Sequence, residues 1–289
     1  MPTTPSPTAR ARRLRYELRR LREEAGLTYS DVAHRLEWSP SKLSRIETGQ
    51  SRVNAGDVIE LLDVYAVSDA STRDALVQLA REARRRGWWT RYTDVLGTGT
   101  YVGLEAEASV IQTYESQFVP GLLQTEDYAR AVISGGQVRP DPDTVERRVA
   151  ARMARQELLT CPDPPEIWAV LDETVIQRPV GGPGVMRGQL HHLIEVAERP
   201  NSTVTLQVLP LSIGAHPGMN GPFVILSFQN PKDPPMVHLE TATDGLYLEE
   251  PSEIERYTLR FSHLVARALG PNESRAMIAD QADRMAGSA

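Results

Sequence analysis

Leu14, Leu18 and Leu21 recur at spacings of four and three, which gives the stretch from Arg10 onward one apolar helical face that ends at Gly26. Thr28, with Asp31 three residues on, has the reciprocal capping pattern that opens a second helix. Ser39-Pro40 opens a third, Ser as N-cap and Pro in the first helical position, and Gly49 stands just past its end, where glycine is favoured. Asn54 with Asp57 opens a fourth helix carrying Val58, Leu61, Leu62 and Tyr65, and Ser71 with Asp74 a fifth carrying Leu76, Leu79 and Ala83. Arg84-Arg85-Arg86-Gly87 then interrupts the pattern and places a domain boundary near Gly87.

The remainder alternates helices and strands. Residues 105–116 and 125–133 read as helices, separated by the turn Pro120-Gly121. Residues 142–160 read as a long charged helix that stops before Pro162, Pro164 and Pro165, 166–171 as a strand, and 186–198 as a helix. Residues 204–209, 223–228 and 236–240 are apolar, β-prone runs bounded by Pro, Gly and Asn, and 252–268 and 273–285 close the chain as helices. The expected architecture is mixed: a lead-in over residues 1–9, an all-α five-helix head over 10–87, and an α+β domain over 88–289 with a mostly antiparallel sheet.

Composition sharpens this division. A chain of 289 residues fits two domains, and 40% hydrophobic with 24% charged residues is ordinary for a globular protein. Residues 1–90 hold 16 Lys+Arg against 12 Asp+Glu, while 91–289 hold 16 against 26. A basic head on an acidic body suits a DNA-binding module joined to a body that makes no phosphate contacts. No run of about 18 apolar residues exists, so no spanning helix is expected. Residues 1–8 lack the apolar core of a secretory signal, and the single Cys161 allows no intrachain disulfide; a cytoplasmic setting follows as the expectation.

The segment from Leu27 to Arg52 is where chemistry concentrates. Two short helices cross closely only if the residue at their contact is small, and the outer face of the second must stay polar. Ala33 is the small contact, and Val32, Leu36, Trp38, Leu43 and Ile46 are apolar supports. Ser41, Lys42 and Arg45 then fall on the outer face of the third helix. Arg45 can set its fork on the O6 and N7 acceptors of a guanine, Lys42 can reach a guanine or a phosphate, and Ser41 is permissive. The Tyr29 hydroxyl, the amides near Ser39 and the Arg52 guanidinium are candidates for phosphate contacts. A five-helix bundle without DNA contact is the competing reading.

These residues resemble the lambda-repressor/Cro-like (XRE) family of helix-turn-helix proteins over roughly residues 10–66. The resemblance implies that Arg22 pairs with Glu47 as scaffold. The position usually held by glycine in the turn is Glu37 here, and Trp38 is larger than the usual aliphatic residue. A non-glycine residue at positive φ is therefore expected.

The body offers less. His191, His192, His216, His238 and His263 are scattered without metal-ligand spacing, and neither a metal nor a cofactor is expected. Acidic pairs such as Glu105/Glu107, Asp172/Glu173 and Glu249/Glu250 read as solvated faces. Arg148, Arg152 and Arg155 share one helix face beside Val145, Val149 and Met153, which is either an ion-paired face or an arginine ridge for an acidic partner or ligand. Segments 87–92, 119–129, 147–159 and 253–261 resemble an actinomycete family in which an XRE-type head joins an antitoxin-like C-terminal domain, similar to WhiJ. That resemblance implies a small BldB-like protein partner and no catalytic residue. The expectation is a homodimeric, non-enzymatic regulator, a repressor, acting on a roughly palindromic double-stranded operator. The alternatives are a ligand-gated regulator with a pocket near Trp168 or Phe223, and an enzyme targeted by the head.

Overall fold

The computed structural model describes residues 7–51, 53–83, 87–97, 99–230, 233–241 and 245–287, with side chains from Arg10 onward. Arg52, the arginines 84–86 and the first six residues of the lead-in lie outside the described residues. The chain divides into two compact units between Thr90 and Arg91.

In the head, α1 (Pro7–Glu24) begins three residues inside the expected lead-in, and α2 (Tyr29–Leu36), α3 (Pro40–Glu47), α4 (Ala55–Val64) and α5 (Ala70–Glu82) follow. Thr28 and Asp31 close a full capping box on α2, and the Asn54 side chain accepts the Asp57 amide at the start of α4. Both arrangements satisfy N–H groups that a helix start would otherwise leave without partners. Glu37 adopts the left-handed conformation at φ 54°, and the Trp38 amide returns to the Ala33 carbonyl at 2.9 Å. Ala33 is buried, and α1, α3, α4 and α5 set Leu14, Leu18, Leu43, Ile46, Val58, Leu61 and Leu76 into one core with Val32 of α2. Each fully buried leucine there contributes roughly 2 kcal/mol by apolar burial.

The body contains α6 (Thr93–Leu96), α7 (Thr100–Glu105), β1 (Ala108–Glu115), α8 (Glu126–Gly135), α9 (Pro142–Arg155), β2 (Glu166–Asp172), α10 (Glu173–Gln177), α11 (Pro183–Glu198), β3 (Val204–Leu209), β4 (Phe223–Phe228), β5 (Met236–Glu240), β6 (Gly245–Leu248), α12 (Pro251–Arg267) and α13 (Pro271–Ala286). Six strands form one sheet in the order β3-β2-β1-β4-β5-β6. The sheet corrects two expectations. It is mixed and not mostly antiparallel, because β1, β2 and β3 run parallel while β4, β5 and β6 pair antiparallel. Helical crossovers join β1 to β2 and β2 to β3, and such crossovers bring the chain back in the same direction. Residues 108–115, expected within a helix, form the central strand β1; Val110, Ile111, Thr113 and Tyr114 are residues that a pleated, buried surface favours.

The two ends of the sheet differ. At β3 the outer edge is closed: the Leu269 amide donates to the Val208 carbonyl at 2.9 Å, and the Val208 amide donates to Ser274 Oγ at 2.9 Å. At the other end β6 is the last strand. On one face of the sheet, Tyr114, Val170, Phe223, Ile225 and Val237 pack with Phe261 and Leu264 of α12.

Candidate nucleic-acid interface

The residues of α3 and its C-cap Thr48 set two opposed faces. Leu43 and Ile46 point into the head's core, and Ser41, Arg45 and Thr48 are exposed on the opposite side at spacings of four and three. That spacing aligns them on one helix face. Arg45 Nε donates to the Ser41 carbonyl at 3.1 Å, which pins the side chain along its own helix. Its terminal nitrogens have no partner among the described residues, so the fork stays available to two acceptors. Thr48 was not singled out by the sequence reading, although its offset of three from Arg45 places it on the same face; its hydroxyl donates to the Ser44 carbonyl at 2.8 Å.

Lys42 is arranged differently from its neighbours. Nζ donates to Asp57 Oδ1 at 2.9 Å and stands 3.4 Å above the Trp38 ring. A cation held by a carboxylate and an aromatic face is drawn toward α4 and away from the Ser41–Arg45 face. No local pattern shows this pair, because Asp57 reads simply as an acid in the first turn of α4.

Beneath α3 lies a charged clamp. Arg22 donates through Nε to Glu47 Oε1 at 2.8 Å and through Nη2 to Oε2 at 2.9 Å, while Nη1 reaches the Leu27 carbonyl at 2.8 Å. The Glu47 side chain is 1% exposed and that of Arg22 10%. These bonds to Glu47 raise the arginine's pKa further above its ordinary value. The Tyr29 hydroxyl donates to Glu47 Oε2 at 3.1 Å, and the Arg22 guanidinium lies 4.5 Å over its ring. Tyr29 thus stands with the clamp, its one hydroxyl proton committed there and not to a phosphate. Ser39 caps α3 without a side-chain bond to the helix; its Oγ lies 3.1 Å from Ser41 Oγ. The first amides of α3 are the remaining donors at that end.

The arginines of α9 do not form one exposed ridge. Arg148 is exposed, but Arg152 Nη1 donates to Gln124 Oε1 at 2.8 Å, and burial pulls its pKa down to about 10. Arg155 pairs with Glu105 at 2.7 Å and stacks over Tyr101 at 5.4 Å. Arg155 turns inward to a small cleft lined by Tyr101, Glu105, Thr113 and Glu115 and by apolar residues such as Leu122 and Val224. Glu105 is therefore buried and paired, a correction to its reading as a solvated acid; Asp172 is buried too, accepting from the Thr174 amide at 3.0 Å. Burial pushes the Glu115 carboxyl up to about 8, although Thr113 Oγ1 donates to it at 3.1 Å. Nearby His238 is stacked between Tyr101 and Tyr247 and pushed down to about 4 by burial. The cleft lies on the opposite face of the sheet from Phe223 and Trp168, whose strand neighbours Val224 and Ile167 line it: Phe223 is packed in the core under α12, and Trp168 is half-exposed with Nε1 donating to Gln207.

No helix among the described residues is long and apolar enough to cross a membrane. A family model described as a helix-turn-helix domain matches residues 13–76, and one described as a domain of unknown function (DUF5753) matches residues 98–280. Comparison with curated proteins and with solved structures gives no match.

Proposed function

From a chain that belongs to the DUF5753 family and bears a helix-turn-helix domain ahead of it, we propose a sequence-specific transcriptional regulator of the XRE type. The observation that supports this reading best is the exposed Ser41–Arg45 face of α3, with the arginine fork unpartnered on a helix braced by Leu43, Ile46 and the Arg22–Glu47 clamp. The protein acts as a homodimer and a repressor. Two copies of α3 enter successive major grooves about 34 Å apart on a roughly palindromic operator. The acidic body is antitoxin-like, similar to that of WhiJ, dimerises, and receives a small BldB-like protein. No catalytic step is assigned to it.

A salt-titrated binding assay tests the reading of bases. Arg45→Ala should abolish discrimination between operator and random duplex, whereas Arg52→Ala should weaken both and lower the salt slope by about one. Intact discrimination in Arg45→Ala would remove that residue from base reading.

A further inference from the structure

The cover that α12 gives the sheet thins at its last strand, where Leu248 packs against the core under α12 while Leu246 stays exposed. α12 packs on β1, β3, β4 and β5. Leu239 of β5 faces Leu246 of β6 across the antiparallel register, and Leu248 lies two residues on, so the three share one side of the sheet. With Tyr257 they floor an open groove walled by Glu253, Arg256 and Arg260 of α12 and by Asn220. Leu246 is 52% exposed there.

The wall carries both signs of charge, with Glu253 beside two arginines. Arg256 and Arg260 have no carboxylate partner among the described residues; the second stacks over Tyr257 at 5.0 Å. Four residues apart, they line the same side of α12. Two unpaired cations beside three leucines call for an occupant that brings both apolar side chains and carboxylates. The space next to a helix already lying on a sheet is also where a second covering helix packs in a layered domain.

We propose that this groove docks an amphipathic helix of a partner protein, apolar toward Leu239, Leu246 and Leu248 and acidic toward Arg256 and Arg260. The proposal rests on the reading of the body as a receiver of a protein partner and gives that partner a surface and a chemistry. It places recognition in the body, apart from α3.

The test uses the full chain and a fluorescein-labelled synthetic helix of about 18 residues, long enough for five turns, with leucines along one face and glutamates on the flanks. A second peptide carries lysine for every glutamate. Fluorescence anisotropy should show the glutamate peptide binding and the lysine peptide not. Arg256→Glu with Arg260→Glu should weaken the glutamate peptide at least about tenfold and admit the lysine peptide. Leu246→Asp should weaken either. Circular dichroism checks that these surface variants keep the fold. Glutamate-peptide binding that ignores all three substitutions, or no binding at about 1 mM, overturns the proposal. Sedimentation supplies another decisive outcome: if Leu246→Asp splits a dimer of the chain, the groove holds a second copy and not a foreign helix. Operator binding by the same variants, measured without peptide, keeps a failure of the regulator reading separate from a failure of the groove.

Discussion

At the scale of single residues, two buried carboxyls, Glu47 of the head and Glu115 of the body, are treated in opposite ways. Glu47 is held by two bonds from Arg22 and one from Tyr29, so its charge is compensated where it lies. Removing the cation leaves that carboxylate buried without its partner, and Arg22→Ala should cost the head about 3 kcal/mol in urea unfolding. A loss near zero would show the clamp to be dispensable. Glu115 has no such partner, and its pKa stands at about 8 against an ordinary 4.5. The folded body thus keeps a proton that the unfolded chain releases above pH 4.5. The stability linked to this proton is fully present below pH 4.5 and is lost as pH rises through 8. Arg152 and Arg155 oppose the shift and Glu240 reinforces it. Glu115→Gln should therefore melt progressively higher than the parent as pH rises from 5 to 9; a difference independent of pH would contradict this. The candidate site was legible in the sequence where its chemistry is local, in Ser41 and Arg45. It was not legible where a partner comes from another element, as Asp57 does for Lys42 and Glu105 for Arg155.

Among the elements, the α2–α3 turn departs from what its residues prefer. Glu37 occupies the left-handed region, at a cost of about 1 kcal/mol that glycine would not incur. Glu37→Gly should leave the melting point unchanged or raise it, while the β-branched Glu37→Val should lower it. The opposite order in thermal melts would mean that the Glu37 side chain holds the turn. This turn was readable because capping patterns and a missing glycine act over a few residues. Residues 204–209, 223–228 and 236–240 were readable as strands for the same reason. Strand direction was not, since it depends on how the crossovers from Glu115 to Glu166 and from Asp172 to Val204 return the chain. β1 was misread because its residues lie next to a short helix, and its mixed run of apolar and polar residues does not alternate with a clear period of two.

For the molecule as a whole, the sheet order makes the two units unequal in sequence reach. The clamp under α3 closes over 25 residues, from Arg22 to Glu47. The central strand of the body waits much longer: Ser109 Oγ donates to the Ser227 carbonyl across 118 residues. At about 5–20 residues per second of synthesis, that gap lasts on the order of 10 s. Loop closure over such a distance also slows refolding of the finished chain. In pulse-labelled hydrogen exchange, amides of α2 and α3 should gain protection before those of β1, and simultaneous protection would contradict the order. A nascent chain then holds a completed reading surface while the strand that joins both halves of its sheet still lacks a neighbour. The helix-turn-helix is thus complete before the body has the sheet on which its own surfaces are built.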